Sequence, residues 1–553
     1  MSSPAPELSP SVEPARTADD ASPVASPARV APAWVAPAAV ALLAAALRFW
    51  NLGRVNLWLD EVSSVVLARK SVAGIVDDVA HSPHGPAYYL LLKGWTALFG
   101  GSEGAVRGLS AAAGLAVVLI VYRIGARLGG ARLATLAALL VALSPVQIYY
   151  AQEARFHMVS AALAVASLAG YLGWRERAVR ALDGDAGALA AGEARGRALL
   201  RFALPAALAL YAYPLYALML AALWLDAGLL VLSREGRGGA WRVVAREWLL
   251  LQVALAAGCV PLALGLGLGT AAVSATQVWR PALGAWGAAS DFLFYFPQQI
   301  QSRFLWWDGF AVAWRVYGDP TRWGNAHPLL APIGRAVSLP GACAAVALCL
   351  AVALRQGRRS PWRAVWLALL VPLAVEAAIS VRQSLELSRY ALFVAPPLFL
   401  LVARGLVALP RAAAGAALAV ILTTEILGLR AYYVERERDS NYRRVAAVLA
   451  GAARAGDSVV VRPGYAAPAV AYYTPPLAFD TRSRSGYGWS VAGVPGAAAP
   501  TGRWWLVVDY RATDSYGAPA DSLAAAIPLA GLELRVLRDT MLRRVRVLEL
   551  APR

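Results

Sequence analysis

The stretch Asn56-Leu57-Trp58-Leu59-Asp60-Glu61 follows, within a few residues, an apolar run over about 33–50 that ends Arg48-Phe49-Trp50-Asn51-Leu52-Gly53. An apolar run of that length crosses ~30 Å of hydrocarbon. Two adjacent carboxylates just beyond such a run are costly to desolvate, which marks Asp60 and Glu61 as candidate functional residues. A positioned carboxylate accepts a proton from an attacking hydroxyl, or holds a divalent cation. The same dipeptide also suits a solvated helix start over 61–70, where negative charge favours the positive end of the helix dipole. Both readings stand on the dipeptide alone.

Further apolar stretches recur along the chain, at 104–124, 131–149, 156–174, 199–213, 214–232, 247–268, 331–354, 361–381, 389–403 and 411–430. Residues 86–100 are also apolar, but they are 15 long and carry Lys93. Basic residues cluster at Arg123/Arg127/Arg132, Arg175/Arg177/Arg180, Arg234/Arg237/Arg242 and Arg355/Arg358/Arg359/Arg363. If 86–100 lies along the interface, every cluster falls on the cytoplasmic side together with the N-terminus. The expected architecture is a polytopic all-α membrane protein of about eleven transmembrane helices with a small extracytoplasmic α/β C-terminal domain. Residues 1–30, rich in Pro, Ala and Ser, are expected to be a disordered cytoplasmic tail without a cleaved signal peptide. Residues 31–430 form the transmembrane domain, with outside loops at 51–103 and 269–330. Residues 431–553 form the outside domain, with a helix near Asn441–Leu449 and strands at Ser458–Arg462, Trp504–Asp509 and Arg543–Leu550.

Composition agrees. The chain has 553 residues, 59% hydrophobic and 16% charged, where a soluble domain is closer to half and a quarter. Its 52 Lys and Arg against 34 Asp and Glu give +18, nearly all of it arginine, since Lys70 and Lys93 are the only lysines. Basic excess in a membrane protein is accounted for by cytoplasmic loops and anionic lipid, so no nucleic-acid partner is called for. Cys259, Cys343 and Cys349 all lie in apolar stretches, which excludes a disulfide framework and a cysteine metal site. No GxGxxG follows a strand, so nothing points to a nucleotide.

Other candidates cluster at the same face. In His81-Ser82-Pro83-His84-Gly85-Pro86 the prolines prevent the regular helix that would aim two histidines at one metal, leaving His84 as a loop hydrogen-bonding residue. The turn Tyr149-Tyr150-Ala151-Gln152-Glu153-Ala154-Arg155-Phe156-His157 brings ionisable groups to a span boundary, where they need partners. A guanidinium there suits a phosphate, donating two hydrogen bonds from one plane; it suits equally a Glu153–Arg155 pair closing the span ends. Ser388-Arg389-Tyr390 begins another span, as a binding pair or as an interfacial Arg with a belt Tyr. Trp279, Trp286, Trp306, Trp307, Trp314 and Trp323 make the loop 269–330 unusually aromatic, suited to the headgroup layer or to stacking on a sugar. Glu376 and Glu425 are intramembrane carboxylates and weaker candidates.

Trp58-Leu59-Asp60-Glu61 after the first span, His84-Gly85-Pro86-x-Tyr88 ahead of an interfacial helix, Tyr150-Ala151-Gln152-Glu153-Ala154-Arg155, and Ser388-Arg389-Tyr390 before a span bearing Pro396-Pro397 occur together. In these features the chain resembles the GT-C superfamily of membrane glycosyltransferases, in the branch of protein O-mannosyltransferases and the lipid A aminoarabinose transferase (glycosyltransferase family 39-like). The resemblance covers about residues 33–430. It implies transfer of a sugar from a polyprenyl-phosphate carrier to an extracytoplasmic glycan, lipid or protein acceptor, usually with inversion, in a multi-pass protein of a bacterial-type inner membrane. It implies Asp60 as catalytic base with Glu61 beside it. His84 matches where many relatives have His-Pro-Pro, with Gly85 here in place of the first proline. Arg155 and Arg389 match positions where a basic residue holds the carrier phosphate, with Lys93 as a further cation and Tyr150, Glu153 and Tyr390 as substrate-binding neighbours.

The expected chemistry is direct displacement at the anomeric carbon, with cations stabilising the leaving phosphate and Asp60 taking the acceptor's proton. No cofactor is required by it; a divalent cation near Asp60 and Glu61 is compatible with it. The alternative from another class is a flippase or transporter of lipid-linked sugars. That activity needs a polar path across the bilayer, whereas the ionisable candidates gather at the outer face.

Overall fold

The computed structural model describes residues 34–80, 84–188, 196–232, 239–276, 284–298, 341–355, 361–382, 390–435, 441–475, 490–493, 503–509, 534–542 and 545–552. The first helix, α1 (Val35–Phe49), is built almost wholly from Ala, Leu and Val. It stops at Trp50, and Asn51 then adopts φ 55°, a left-handed conformation that asparagine tolerates better than most residues. Three short helices follow: α2 (Leu59–Arg69), α3 (Val72–Ala80) and α4 (Ala87–Phe99). Thirteen residues make α4 about 20 Å long, short of a bilayer.

The helical run α5 (Glu103–Leu143) is two antiparallel rods, reversed at Gly129 and Gly130, whose backbone is non-helical. A Cβ on Gly125 would lie 2.8 Å from the Cα of Ala134, although nine residues of straight helix span ~13.5 Å. The chain has therefore turned back, as expected of separate spans at 104–124 and 131–149. Ser102 caps the first rod by accepting from Ala105 N, and Ser144 caps α6 (Pro145–Ala151) by accepting from Gln147 N. Helix α7 (Phe156–Leu182) comes next.

Helices at Leu204–Ala212, Ala217–Leu232, Ala240–Thr276, Gly284–Gln298, Ala342–Arg355, Trp362–Ser380, Ala395–Ala408 and Arg411–Glu435 continue the bundle. Among the described residues six helices are long and apolar enough to cross a membrane: Glu103–Leu143, Phe156–Leu182, Pro214–Leu232, Ala240–Leu262, Trp362–Ser380 and Arg411–Arg430. Val35–Phe49, Cys343–Arg355 and Leu392–Ala408 are shorter apolar helices. Exposed Leu42, Leu98, Trp224 and Leu264 give the bundle an apolar exterior, as lipid contact requires.

Two buried polar ties join helices of the bundle. Asp226 accepts from Tyr171 Oη at 2.8 Å, Arg175 Nε at 2.7 Å and Arg363 Nε at 2.6 Å, joining three helices around one buried carboxylate. Arg48, fully buried, donates to the carbonyls of Val141 and Ala142 at 2.9–3.0 Å and so fastens α1 to the end of α5.

The C-terminal part is a five-stranded sheet in the order β2-β1-β3-β5-β4. Its strands are β1 (Ser458–Arg462), β2 (Ser490–Gly493), β3 (Trp504–Asp509), β4 (Leu534–Leu542) and β5 (Val545–Pro552). β1 and β3 run parallel and the other pairs antiparallel. Helices Tyr442–Ala452 and Ala467–Tyr473 accompany it. The helix and three of the strands answer the sequence expectation. Strands β2, which has four residues, and β4, where Arg535, Arg538 and Asp539 interrupt the apolar run, were not expected from the sequence. Within 269–330, expected from the sequence to be a loop, Ala240–Thr276 carries helix past 268 and Gly284–Gln298 is a second helix; Trp286 is 85% exposed, and Trp279, Trp306, Trp307, Trp314 and Trp323 lie outside the described residues.

Candidate active site

Two helix starts and one turn make the site. Trp58 precedes α2 in extended conformation, and Glu61, three residues on, reaches back to accept from Trp58 N at 3.1 Å. The other Glu61 contacts leave the helix. Arg107, from the first turn of α5, donates Nε to Oε1 at 2.7 Å and Nη2 to Oε2 at 2.6 Å. Ala154 N donates to Oε1 at 2.8 Å. Arg107 also donates to the carbonyls of Leu52, Val55 and Asn56, so one guanidinium gathers three carbonyls of the link between α1 and α2. Glu61 therefore faces the protein interior while its neighbour Asp60 does not. It is buried and both its oxygens are committed, because successive helical residues point ~100° apart.

Asp60 takes the other direction and stays 31% exposed. Arg155, the residue before α7, places Nη2 3.6 Å from Asp60 Oδ2 and donates Nη1 to the Asp60 carbonyl and to Ser64 Oγ, each at 3.3 Å. Two residues 95 apart in sequence thus meet where the N-terminal ends of α2 and α7 converge. Both helix ends carry partial positive charge, which favours an anion there.

The turn that delivers Arg155 is fixed by Gln152. Its Nε2 lies 2.9–3.0 Å from the carbonyls of Leu47, Arg48 and Trp50 at the end of α1, and its Oε1 accepts from Tyr432 Oη at 2.8 Å. Glu153 is buried, and its carbonyl accepts from Arg155 N at 2.8 Å.

Rings surround this point. His84 packs on Phe156 at 4.4 Å between centroids, Phe156 on Tyr213 at 5.0 Å, and His157 on Tyr150 at 5.2 Å. Tyr390 stacks on Tyr213 at 5.9 Å and meets His157 at 6.0 Å. His84, Tyr150 and Tyr390 are thus linked through Phe156, His157 and Tyr213. Gly85 explains its own departure from proline: a Cβ there would lie 1.9 Å from the Tyr211 carbonyl oxygen, so nothing larger fits against that helix end. Tyr88 and Tyr89 are buried beside the Arg155 charge; burial pushes both phenols up while Arg155 pulls the other way, and they remain neutral.

Lys93 is elsewhere. Its Nζ donates to the Lys70 carbonyl at 2.8 Å, closing the far end of α2, about 15 Å along that helix from Asp60. The expectation that it helps hold the phosphate is corrected accordingly. Arg389 and His81 lie outside the described residues. Sequence reasoning missed Arg107, Ser64, Tyr88, Tyr89 and Tyr213; of these only Tyr88 and Tyr89, directly after His84-Gly85-Pro86, carried a local signal. Among the described residues no three His, Cys, Asp or Glu side chains gather as metal ligands.

The C-terminal domain reaches this site. Tyr473 Oη accepts from Leu57 N at 2.6 Å and donates to Glu103 Oε1 at 2.6 Å. Arg443 pairs with the Glu103 carboxylate and donates to the Gly53 carbonyl at 2.9 Å. Burial pushes the Tyr473 phenol up to about 12, so it stays a neutral donor.

With this geometry in view, the fold matches crystal structures of ArnT from Cupriavidus metallidurans. The form bound to undecaprenyl phosphate aligns with a TM-score of 0.56 at 14% identity, over 94% of this chain and 98% of that one. The chain has the ArnT fold. The apo form of ArnT gives the same score and identity over 93% of this chain and 97% of its own. A more distant likeness, TM-score 0.47 at 13% identity, covers 79% of this chain and 63% of the oligosaccharyltransferase AglB from Archaeoglobus fulgidus. No family model matches the sequence, and no curated protein does.

Proposed function

We propose that the chain is a membrane glycosyltransferase that moves a sugar from a polyprenyl-phosphate carrier to an extracytoplasmic acceptor, with inversion at the anomeric carbon. The observation that carries this reading is the convergence of a partly exposed Asp60 and a buried Arg155 at two helix N-termini. The ArnT fold, solved with undecaprenyl phosphate in that protein, supports a polyprenyl-phosphate donor.

In this mechanism an acceptor hydroxyl oxygen attacks the anomeric carbon as the bond from that carbon to the phosphate oxygen breaks. The hydroxyl proton passes to Asp60, a contribution worth roughly 10²–10⁴-fold in rate. Negative charge grows on the leaving polyprenyl phosphate, and Arg155 with the two helix ends is already placed to meet it, so little reorganisation is needed. Arg389 is retained as a second cation from its sequence position. Glu61 positions rather than reacts, by fixing α2 against Arg107 and Ala154. A divalent cation between Asp60 and Glu61 fits poorly, since both Glu61 oxygens are taken and the Arg155 guanidinium already sits against Asp60.

The test is binding of undecaprenyl phosphate to the purified full chain, read by native mass spectrometry. Arg155→Ala is expected to weaken retention about tenfold or more, while Asp60→Asn retains it. Equal retention by wild type and Arg155→Ala overturns the role given to Arg155.

A further inference from the structure

A cavity of about 480 Å³ lies at the opposite end of the bundle from Asp60. Ala36 and Pro37 line it at the start of α1, about 20 Å from the Trp50 end that Gln152 holds. Tyr122 lines it on the first rod of α5, about 22 Å along that rod from Arg107. Two independent helices thus place it across the membrane from the candidate active site.

We propose that this cavity binds the headgroup of an anionic phospholipid, with an acyl chain against its apolar wall. Arg132, just past the Gly129–Gly130 turn, and Arg411, at the start of Arg411–Glu435, both line it. Neither has an acidic partner among the described residues, and the lining contains no acidic side chain. Leu136, Leu406 and Leu418 supply the wall. Two unpaired guanidiniums above an apolar slot, at the end of membrane-length helices, complement a phosphate diester carrying hydrocarbon. The basic clusters at Arg123, Arg127 and Arg132 put this end on the face where anionic lipid concentrates. The sugar carrier is not the occupant, because its phosphate would lie some 20 Å from Asp60 along α1. The inference stands whether or not the chain transfers a sugar.

The experiment is native mass spectrometry of the full chain after incubation with equimolar phosphatidylglycerol and phosphatidylcholine. Wild type is expected to retain phosphatidylglycerol preferentially. Arg132→Ala/Arg411→Ala is expected to lose about 30-fold in apparent affinity for it, from about 1 kcal/mol per arginine. Arg180→Ala/Arg355→Ala, which removes the same charge elsewhere, is expected to bind as wild type. Gly415→Phe keeps both arginines but fills the cavity; a Cβ there meets nothing within 4 Å, so the backbone has room for a side chain, and the variant, with an unfolding midpoint matched to wild type, is expected to lose the lipid. Inorganic phosphate is expected not to displace the lipid. Equal loss in the Arg180/Arg355 variant, unchanged retention in the Arg132/Arg411 or Gly415 variant, equal retention of phosphatidylcholine, or displacement by inorganic phosphate each overturns the proposal.

Discussion

Glu61 and Arg107 form a two-pronged ion pair, Nε to Oε1 at 2.7 Å and Nη2 to Oε2 at 2.6 Å, with both side chains buried. Each partner spends its remaining capacity on backbone: Glu61 on Trp58 N and Ala154 N, Arg107 on three carbonyls before α2. Removing one partner leaves a buried charge uncompensated, which costs about 3–5 kcal/mol. Glu61→Gln is expected to lower the unfolding midpoint sharply. The double variant Glu61→Gln/Arg107→Met is expected to be more stable than the two single losses sum to. Strict additivity in a double-mutant cycle of unfolding free energies contradicts the pairing.

Lys93 tests the geometry from the other side. Because it closes the far end of α2, Lys93→Ala is expected to leave sugar transfer within about twofold of wild type, as for a surface position away from the site. A large loss of turnover with unchanged protein levels puts Lys93 back at the phosphate.

Tyr473, at the end of the helix Ala467–Tyr473, links the C-terminal domain to the segment that leads into α2, which carries Asp60. Tyr473→Phe leaves Leu57 N and Glu103 each without a partner they now have, at a cost of about 1–3 kcal/mol. Since Leu57 is three residues from Asp60, the same variant is expected to slow transfer while donor binding, set by Arg155, is kept. Steady-state kinetics separate the two: the turnover number falls and the donor KM holds.

The reach of the sequence can be judged residue by residue. Asp60 and Arg155 were legible because each is an ionisable group directly beside an apolar span, where charge without a function is costly. Their meeting was not, since 95 residues separate them and it takes the folded chain to bring the start of α7 to the start of α2. The burial of Glu61 against Arg107 was not legible from the dipeptide, because a helix turns sequence neighbours to different surroundings. Arg107 was invisible: it sits inside a span of an arginine-rich chain with no motif around it. The helical, apolar character of the bundle was legible because Ala/Leu/Val runs have one solution in lipid, but among the described residues six helices, not about eleven, are long and apolar enough to cross a membrane. Strand β4 was not legible, because its charges face outward as Asp539 and Arg546 pair across the β4–β5 ladder.

That pair gives a pH prediction. Arg546 donates to Asp539 at 2.5–2.9 Å and holds its carboxyl below the ordinary value. A depressed carboxyl stabilises the fold above its unfolded pKa, near 3.9, and that contribution fades as pH falls through the lower folded value. Hydrogen-exchange protection of Leu534–Leu542 is expected to drop below about pH 4 in wild type and to be flatter with pH in Asp539→Asn. The same drop in both contradicts the assignment.

The central claim is that Asp60 is the base of a glycosyl transfer. Its most direct test compares envelope glycans and glycoproteins by mass spectrometry in three host strains: wild type, deletion and Asp60→Asn, with matched membrane levels of the protein. The account predicts that one sugar-sized mass disappears in both altered strains, naming donor sugar and acceptor class together. A profile changed by deletion but untouched by Asp60→Asn contradicts it, and leaves Asp60 a structural carboxylate held by Arg155.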